Sequence, residues 1–177
     1  MKNHTLHELF IEQLIDMYSA ENQIVAALPK LIKLASLPEL KEALSHHLKE
    51  TKGQVEKLET IFTILELSFR EVTCKAMKGL LSEADEIVKT FSKSPTLDAA
   101  IIAAAQKVEH YEIASYGTLR SFAKNLDVDR KIVNLLQEIL DEEGAADKKL
   151  TKLATGSFFT NGINAEAAHL ALAGARH

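Results

Sequence analysis

Apolar residues recur at spacings of three and four along four long stretches of the chain, the period of helices that bury one face. The first stripe reads Phe10, Leu14, Met17, Ile24, Leu28 and Leu31, and the second Leu40, Leu44, His47, Leu58 and Phe62. The third runs Ile101, Ala105, Val108, Leu119 and Phe122, with the small polar Ser115 on the same face. The fourth runs Leu136, Ile139, Ala146, Leu150 and Leu153. Each stripe is interrupted where its core should be apolar: by Glu21, by Glu50 with Gln54, by Glu112 and by Glu143. An ionised carboxylate inside a helical core is costly unless it is paired or bound to a cation. Four such positions that could meet at one level point to a metal site.

The punctuation between stripes sets the order of the elements. Thr5, with Glu8 three residues on, is the pattern of a capping box and starts the first helix, which extends to about Ala35. Pro29 removes a backbone N–H from that run, so a kink or break is expected there. Ser36 is the expected cap of the second helix, with Pro38 in its first turn and an end near Glu66. A long connection follows, within which CKAMKGLLSEADEIVKTF reads as one modest amphipathic helix. Pro95 and Thr96 open the next helix, whose N-terminal dipole Asp98 suits, and it runs to about Asn125. Asp127 or Asp129 caps the last long helix, which ends near Thr155.

Short turns join the first pair and the last pair, while a long crossover joins the two pairs. That is the topology of an all-α, ferritin-like four-helix bundle with one long crossover carrying a short extra helix. Residues 1–156 are assigned to the bundle and 157–177 to a C-terminal tail. The tail holds a turn signal at Asn161-Gly162 and an Ala-rich segment, and whether it docks on the bundle as a short helix its residues leave open.

Bulk properties remove several function classes. Twenty-one Lys and Arg against 25 Asp and Glu give a formal net charge of −4, without the concentrated basic surface that nucleic acid needs. Seven Gly and three Pro in 177 residues agree with an all-helical chain. Cys74 stands alone, so no intramolecular disulfide and no cysteine-pair zinc site is expected, and the residue is expected to be inert. No apolar run suits a membrane span and the first ten residues lack a signal-peptide pattern, so a cytoplasmic location is expected.

Di-iron and di-manganese bundles place a Glu on each of two helices and a Glu-x-x-His on each of the other two. Residues three or four apart share a helix face and can clamp one metal or two adjacent ones. Here Glu109 and Glu112 stand three apart, Glu143 and Asp147 four apart, and Glu50 and Gln54 four apart, with Glu21 alone on its helix. The candidate ligand set is therefore Glu21, Glu50, Gln54, Glu109, Glu112, Glu143 and Asp147, for two divalent ions, iron or manganese. Asp16, Tyr18, Tyr111 and Tyr116 lie near these levels and are candidates to orient ligands by hydrogen bonds. His47 falls beside Glu50 but suits an interhelix hydrogen bond, and His110 should point away from Glu109 and Glu112, so neither joins the set.

The segments Asp16–Glu21, His47–Gln54, Ala103–Leu119 and Leu140–Leu150 closely resemble the YciF/YciE-type ferritin-like proteins, which are bacterial and stress-associated. The resemblance covers about residues 5 to 155 and is most specific over AlaAlaAlaGlnLysValGluHisTyrGluIleAlaSerTyrGlyThrLeu. It implies a homodimer with a rubrerythrin-like carboxylate site at Glu21, Glu50, Glu109, Glu112 and Glu143. The two imidazoles of the Glu-x-x-His motifs are missing, since Gly53 follows Glu50 by three and Ala146 follows Glu143 by three. Metal binding is the expectation that survives this departure, with peroxide or oxygen as a small oxidant substrate if there is catalysis. The rival is a non-enzymatic helical stress protein, metal-free, whose carboxylates share protons or pair with Lys49 and Lys52. An iron-storage shell is a weaker third, because nothing in the sequence marks a cage-forming surface.

Overall fold

A computed structural model describes residues 5–68, 70, 72–157 and 160–174. Helix α1 spans Leu6–Leu34, and its capping box is complete: the Thr5 side chain accepts from the Glu8 amide, and the Glu8 carboxylate accepts from the Thr5 amide. α1 runs through Pro29 without the break that the sequence allows there. Proline withdraws only its own N–H from the ladder. Pro29 lies on the exposed side, while Leu28 and Leu31 on either side of it are buried and hold the helix to the core.

α2 spans Pro38–Ile64, and its start corrects an expectation. The N-cap residue is Leu37, without a side-chain cap, so the Ser36 hydroxyl does not cap α2. Asp98 supplies the cap from across the bundle, its two carboxylate oxygens accepting from the Ser36 amide at 2.7 Å and the Leu37 amide at 2.9 Å. Asp98 thus serves the dipole of a neighbouring helix as well as sitting in the first turn of its own.

The crossover carries α3, Lys75–Thr90, whose N-cap is the buried Cys74. α4 spans Pro95–Asn125 behind the Ser94 cap, and α5 spans Arg130–Thr155 behind the Asp129 cap. α1 packs on α2 and on α4, and α5 packs on α4 and on α2, which makes a four-helix square. α3 lies over the seam between α1 and α4. This is the ferritin-like arrangement: two antiparallel hairpins joined by one long crossover.

The tail docks. Gly156 ends α5 at φ 80°, a conformation that favours glycine, and two-residue strands β1 (Gly156–Ser157) and β2 (Thr160–Asn161) pair antiparallel. At Gly162 a Cβ would lie 2.3 Å from the Ala154 carbonyl oxygen, so the close return of the chain requires glycine there. α6, Ile163–Gly174, then packs against α4 and α5 with Ile163 buried in the core. No helix among the described residues is long and apolar enough to cross a membrane.

Candidate metal centre

The core is apolar above and below the middle of the bundle, and carboxylates replace it there. Glu21 of α1, Glu109 and Glu112 of α4 and Glu143 of α5 are all buried, as are His47 and Gln54 of α2. The helical period that makes their neighbours Met17, Ile24, Val108 and Ile139 core residues aims these side chains at the same axis. His47, Glu109, Glu112 and Glu143 each bring one donor atom to a common point, all within 4.8 Å of one another. Glu21 joins the group, close enough to Glu143 to feel its charge, while Glu112 in turn feels the charge of Glu21.

Hydrogen bonding leaves most of this cluster unsatisfied. The Tyr116 hydroxyl donates to Glu21 Oε1, and the Gln54 amide donates to Glu143 Oε1. Glu21 Oε2, Glu109 Oε2, Glu143 Oε2 and both oxygens of Glu112 have no partner. His47 Nε2 is 3.3 Å from Glu109 Oε1, but its orientation is not that of a hydrogen bond, and neither ring nitrogen has a partner. Buried polar atoms are nearly always satisfied, so this many in one place demand a cation or shared protons.

The electrostatics say the same. Burial, then the charge of Glu143, raises the Glu21 carboxyl to about 8. Burial and the facing Glu143 raise Glu109, and burial and the charge of Glu21 hold Glu112 well above the usual carboxylate range. Glu143 rises less, to about 7, because burial is opposed by hydrogen bonding, including that from Gln54. Burial lowers His47 to about 4 and keeps its imidazole neutral, the form that ligates metals. Tyr116, buried beside Glu21 and Glu112, is held well above its ordinary range and stays a donor.

Of the seven candidate ligands, the structure gathers Glu21, Gln54, Glu109, Glu112 and Glu143. Glu50 stands at the rim with its side chain 23% exposed, its carboxylate 3.0 Å from His46 Nδ1 and 4.0 Å from His47 Nδ1. Asp147 lies beside the cluster, accepting from Gln106 at 3.0 Å and facing the exposed His110 at 3.4 Å. Among the candidate orienting tyrosines, Tyr116 reaches a site carboxylate. Tyr18 donates instead to Glu59, and Tyr111 donates to Asp16 at 3.1 Å and lies 3.2 Å from Cys74 Sγ. Lys49 and Lys52 are exposed, while the cation that approaches this side is Lys57, paired with Glu142.

The residue that sequence reasoning left out is His47. Its signal was present, since it occupies a stripe position in register with Leu40 and Leu44. A histidine on a core face more often makes a hydrogen bond than a metal bond, and the spacing to Glu50 ran in the reverse order from the expected motif.

Comparison with known proteins agrees with this architecture. Residues 5–168 match the family described as a domain of unknown function, DUF892. The chain is 47% identical over 155 residues to protein YciF of Escherichia coli, covering 87% of this chain and 93% of that protein. The crystal structure of that stress protein superposes with a TM-score of 0.81, over 86% of this chain and 95% of the other. YcfI of Rhodopseudomonas palustris, a candidate structural protein by its description, superposes with a TM-score of 0.82 at 44% identity, over 86% and 97% of the two chains. A Xanthomonas campestris protein at 19% identity and a TM-score of 0.66, covering 84% and 89%, shares the fold.

Proposed function

The chain belongs to the DUF892 family with YciF-type proteins, and on that premise we propose that it is a di-metal carboxylate protein of the bacterial stress response, holding iron or manganese. The observation that carries this is the convergence of His47, Glu109, Glu112 and Glu143 within 4.8 Å, with carboxylate oxygens that nothing else satisfies. The donor set fits the ions: hard carboxylate oxygens with a neutral imidazole suit Fe and Mn, and two divalent charges offset four carboxylates. Glu109, Glu112, Glu143 and His47 are the inner ligands, and Glu21 completes the set from α1. His47 replaces the nitrogen that the absent Glu-x-x-His motifs would have supplied.

Bound iron or manganese would supply one-electron chemistry toward a small oxidant such as peroxide or oxygen. The chain's own part is to position the ligands. Tyr116 fixes one oxygen of Glu21 and leaves the other free, and Gln54 does the same for Glu143. The carboxyls that burial keeps protonated release those protons as they ligate, so affinity rises with pH. We place the protein in the cytoplasm as a homodimer, which size-exclusion chromatography separates from a storage shell.

Elemental analysis of protein purified from iron- or manganese-supplemented cells tests the assignment. About two equivalents are expected, and less than about one-tenth of an equivalent would sink it. The second reading is a metal-free helical stress protein, favoured by the ease with which raised carboxyls share protons at neutral pH. It predicts no bound metal and unchanged stability in chelator.

A further inference from the structure

A cavity of about 90 Å³ opens between α2 and α5 and ends on the metal centre. Its floor is His47 and Glu109, both more than nine-tenths buried and both carrying nitrogen or oxygen atoms without a partner. Its throat is lined by Ala146, where a di-metal bundle would ordinarily carry the histidine of Glu-x-x-His. Its mouth holds Glu50 and His46, 3.0 Å apart, with the exposed Lys149 beside them. A water needs roughly 10–15 Å³ of such space, so the cavity has room to hold a partly hydrated ion.

We propose that this opening is the port by which divalent cations enter, with Glu50 and His46 as a transit site at the mouth that hands the ion to His47 and Glu109. The proposal rests on the metal reading of the buried cluster. Its chemistry is simple. A carboxylate and an imidazole at the rim exchange for part of the hydration shell, and two further donors wait at the floor. The small side chain at position 146 therefore has a positive role: the volume a ligand would fill is left as the passage. Lys149 opposes the approach of a cation, which makes the rim a place where a single charge changes the entry rate.

Stopped-flow absorbance of cobalt(II) binding to the full chain reads the rate, and equilibrium titration reads the amount bound. Ala146→Leu narrows the throat and should slow uptake about tenfold with the final stoichiometry unchanged. Glu50→Gln should slow it several-fold, again without loss of bound cobalt. Lys149→Glu should speed it several-fold at low ionic strength, an effect that fades in high salt. Lys149 is exposed, so that variant keeps the test open if Ala146→Leu fails to fold. Uptake rates that do not respond to these changes overturn the port while leaving the metal centre standing. Loss of bound cobalt in Glu50→Gln overturns it differently, by making Glu50 an inner ligand. If the unsubstituted chain takes up no cobalt, the metal reading falls and the port with it.

Discussion

Among the described residues, two places in this bundle bury carboxylates, and they do opposite things with them. At the start of α2, Asp98 is only 3% exposed, yet both of its oxygens accept backbone amides, at 2.7 and 2.9 Å. At mid-height, Glu112 is fully buried and neither of its oxygens has a partner. Residue type and burial are nearly the same, so neither tells a structural carboxylate from a functional one. What separates them is where the lone pairs go. The Asp98 carboxylate is consumed by the fold; Glu21, Glu109, Glu112 and Glu143 each keep at least one oxygen that the fold leaves over.

The largest test of that contrast is Asp98→Ala. It strips two charge-assisted hydrogen bonds and the cap of α2, and should cost about 3 kcal/mol of stability. Urea unfolding measures this, and the loss should be equal in chelator and in metal. A loss below about 0.5 kcal/mol would show that Asp98 is as dispensable to the fold as the contrast says the mid-height carboxylates are.

The opposite response is expected from Glu21→Gln combined with Glu112→Gln. At pH 8 in chelator the double variant should gain about 1 kcal/mol, because the buried charge that Glu21 acquires as pH reaches about 8 is removed with no cation to balance it. With metal present it should lose stability relative to the unsubstituted chain, since binding to the native state is what stabilises it. If the double variant is destabilised in chelator too, the four carboxylates are structural in the manner of Asp98.

How far the chain announced this contrast depends on which force decides each feature. The helices and the crossover follow from local periodicity and caps, so Thr5 and Pro95 are visible as boundaries, and Asp129 as one of two candidate caps. Glu21, Glu112 and Glu143 are visible because a charge in an apolar stripe is a local anomaly, and Glu109 because it stands three residues before Glu112. The role of Asp98 was hidden, because its partners lie about sixty residues away on another element. Continuity at Pro29 depended on tertiary burial of Leu28 and Leu31, which overrides a local break signal. His47 was hidden for a third reason: its stripe position is compatible with packing, hydrogen bonding or ligation, and only convergence with Glu109 from α4 separates them.

The smallest effect separates the mid-height carboxylates from Asp98 through pH alone. In chelator, the stability that the protonated forms of Glu143 and Glu21 contribute is fully present below their ordinary 4.5. It is lost as pH rises through about 7 for Glu143 and about 8 for Glu21, because burial disfavours the charged forms that then appear. His47 acts in the other direction, since burial lowers it from 6.5 to about 4, but its effect is confined to pH below about 6.5. Between pH 6.5 and 8 only the carboxylate slope remains, so the chelated protein should lose stability steadily over that window. Metal competes with protons for the same oxygens, so the loaded protein should instead grow more stable over the same range. Thermal melts in chelator and in manganese at a series of pH values read both slopes. A chelated protein whose melting temperature stays flat or climbs would place Glu21 and Glu143 with Asp98, as charges the fold already satisfies.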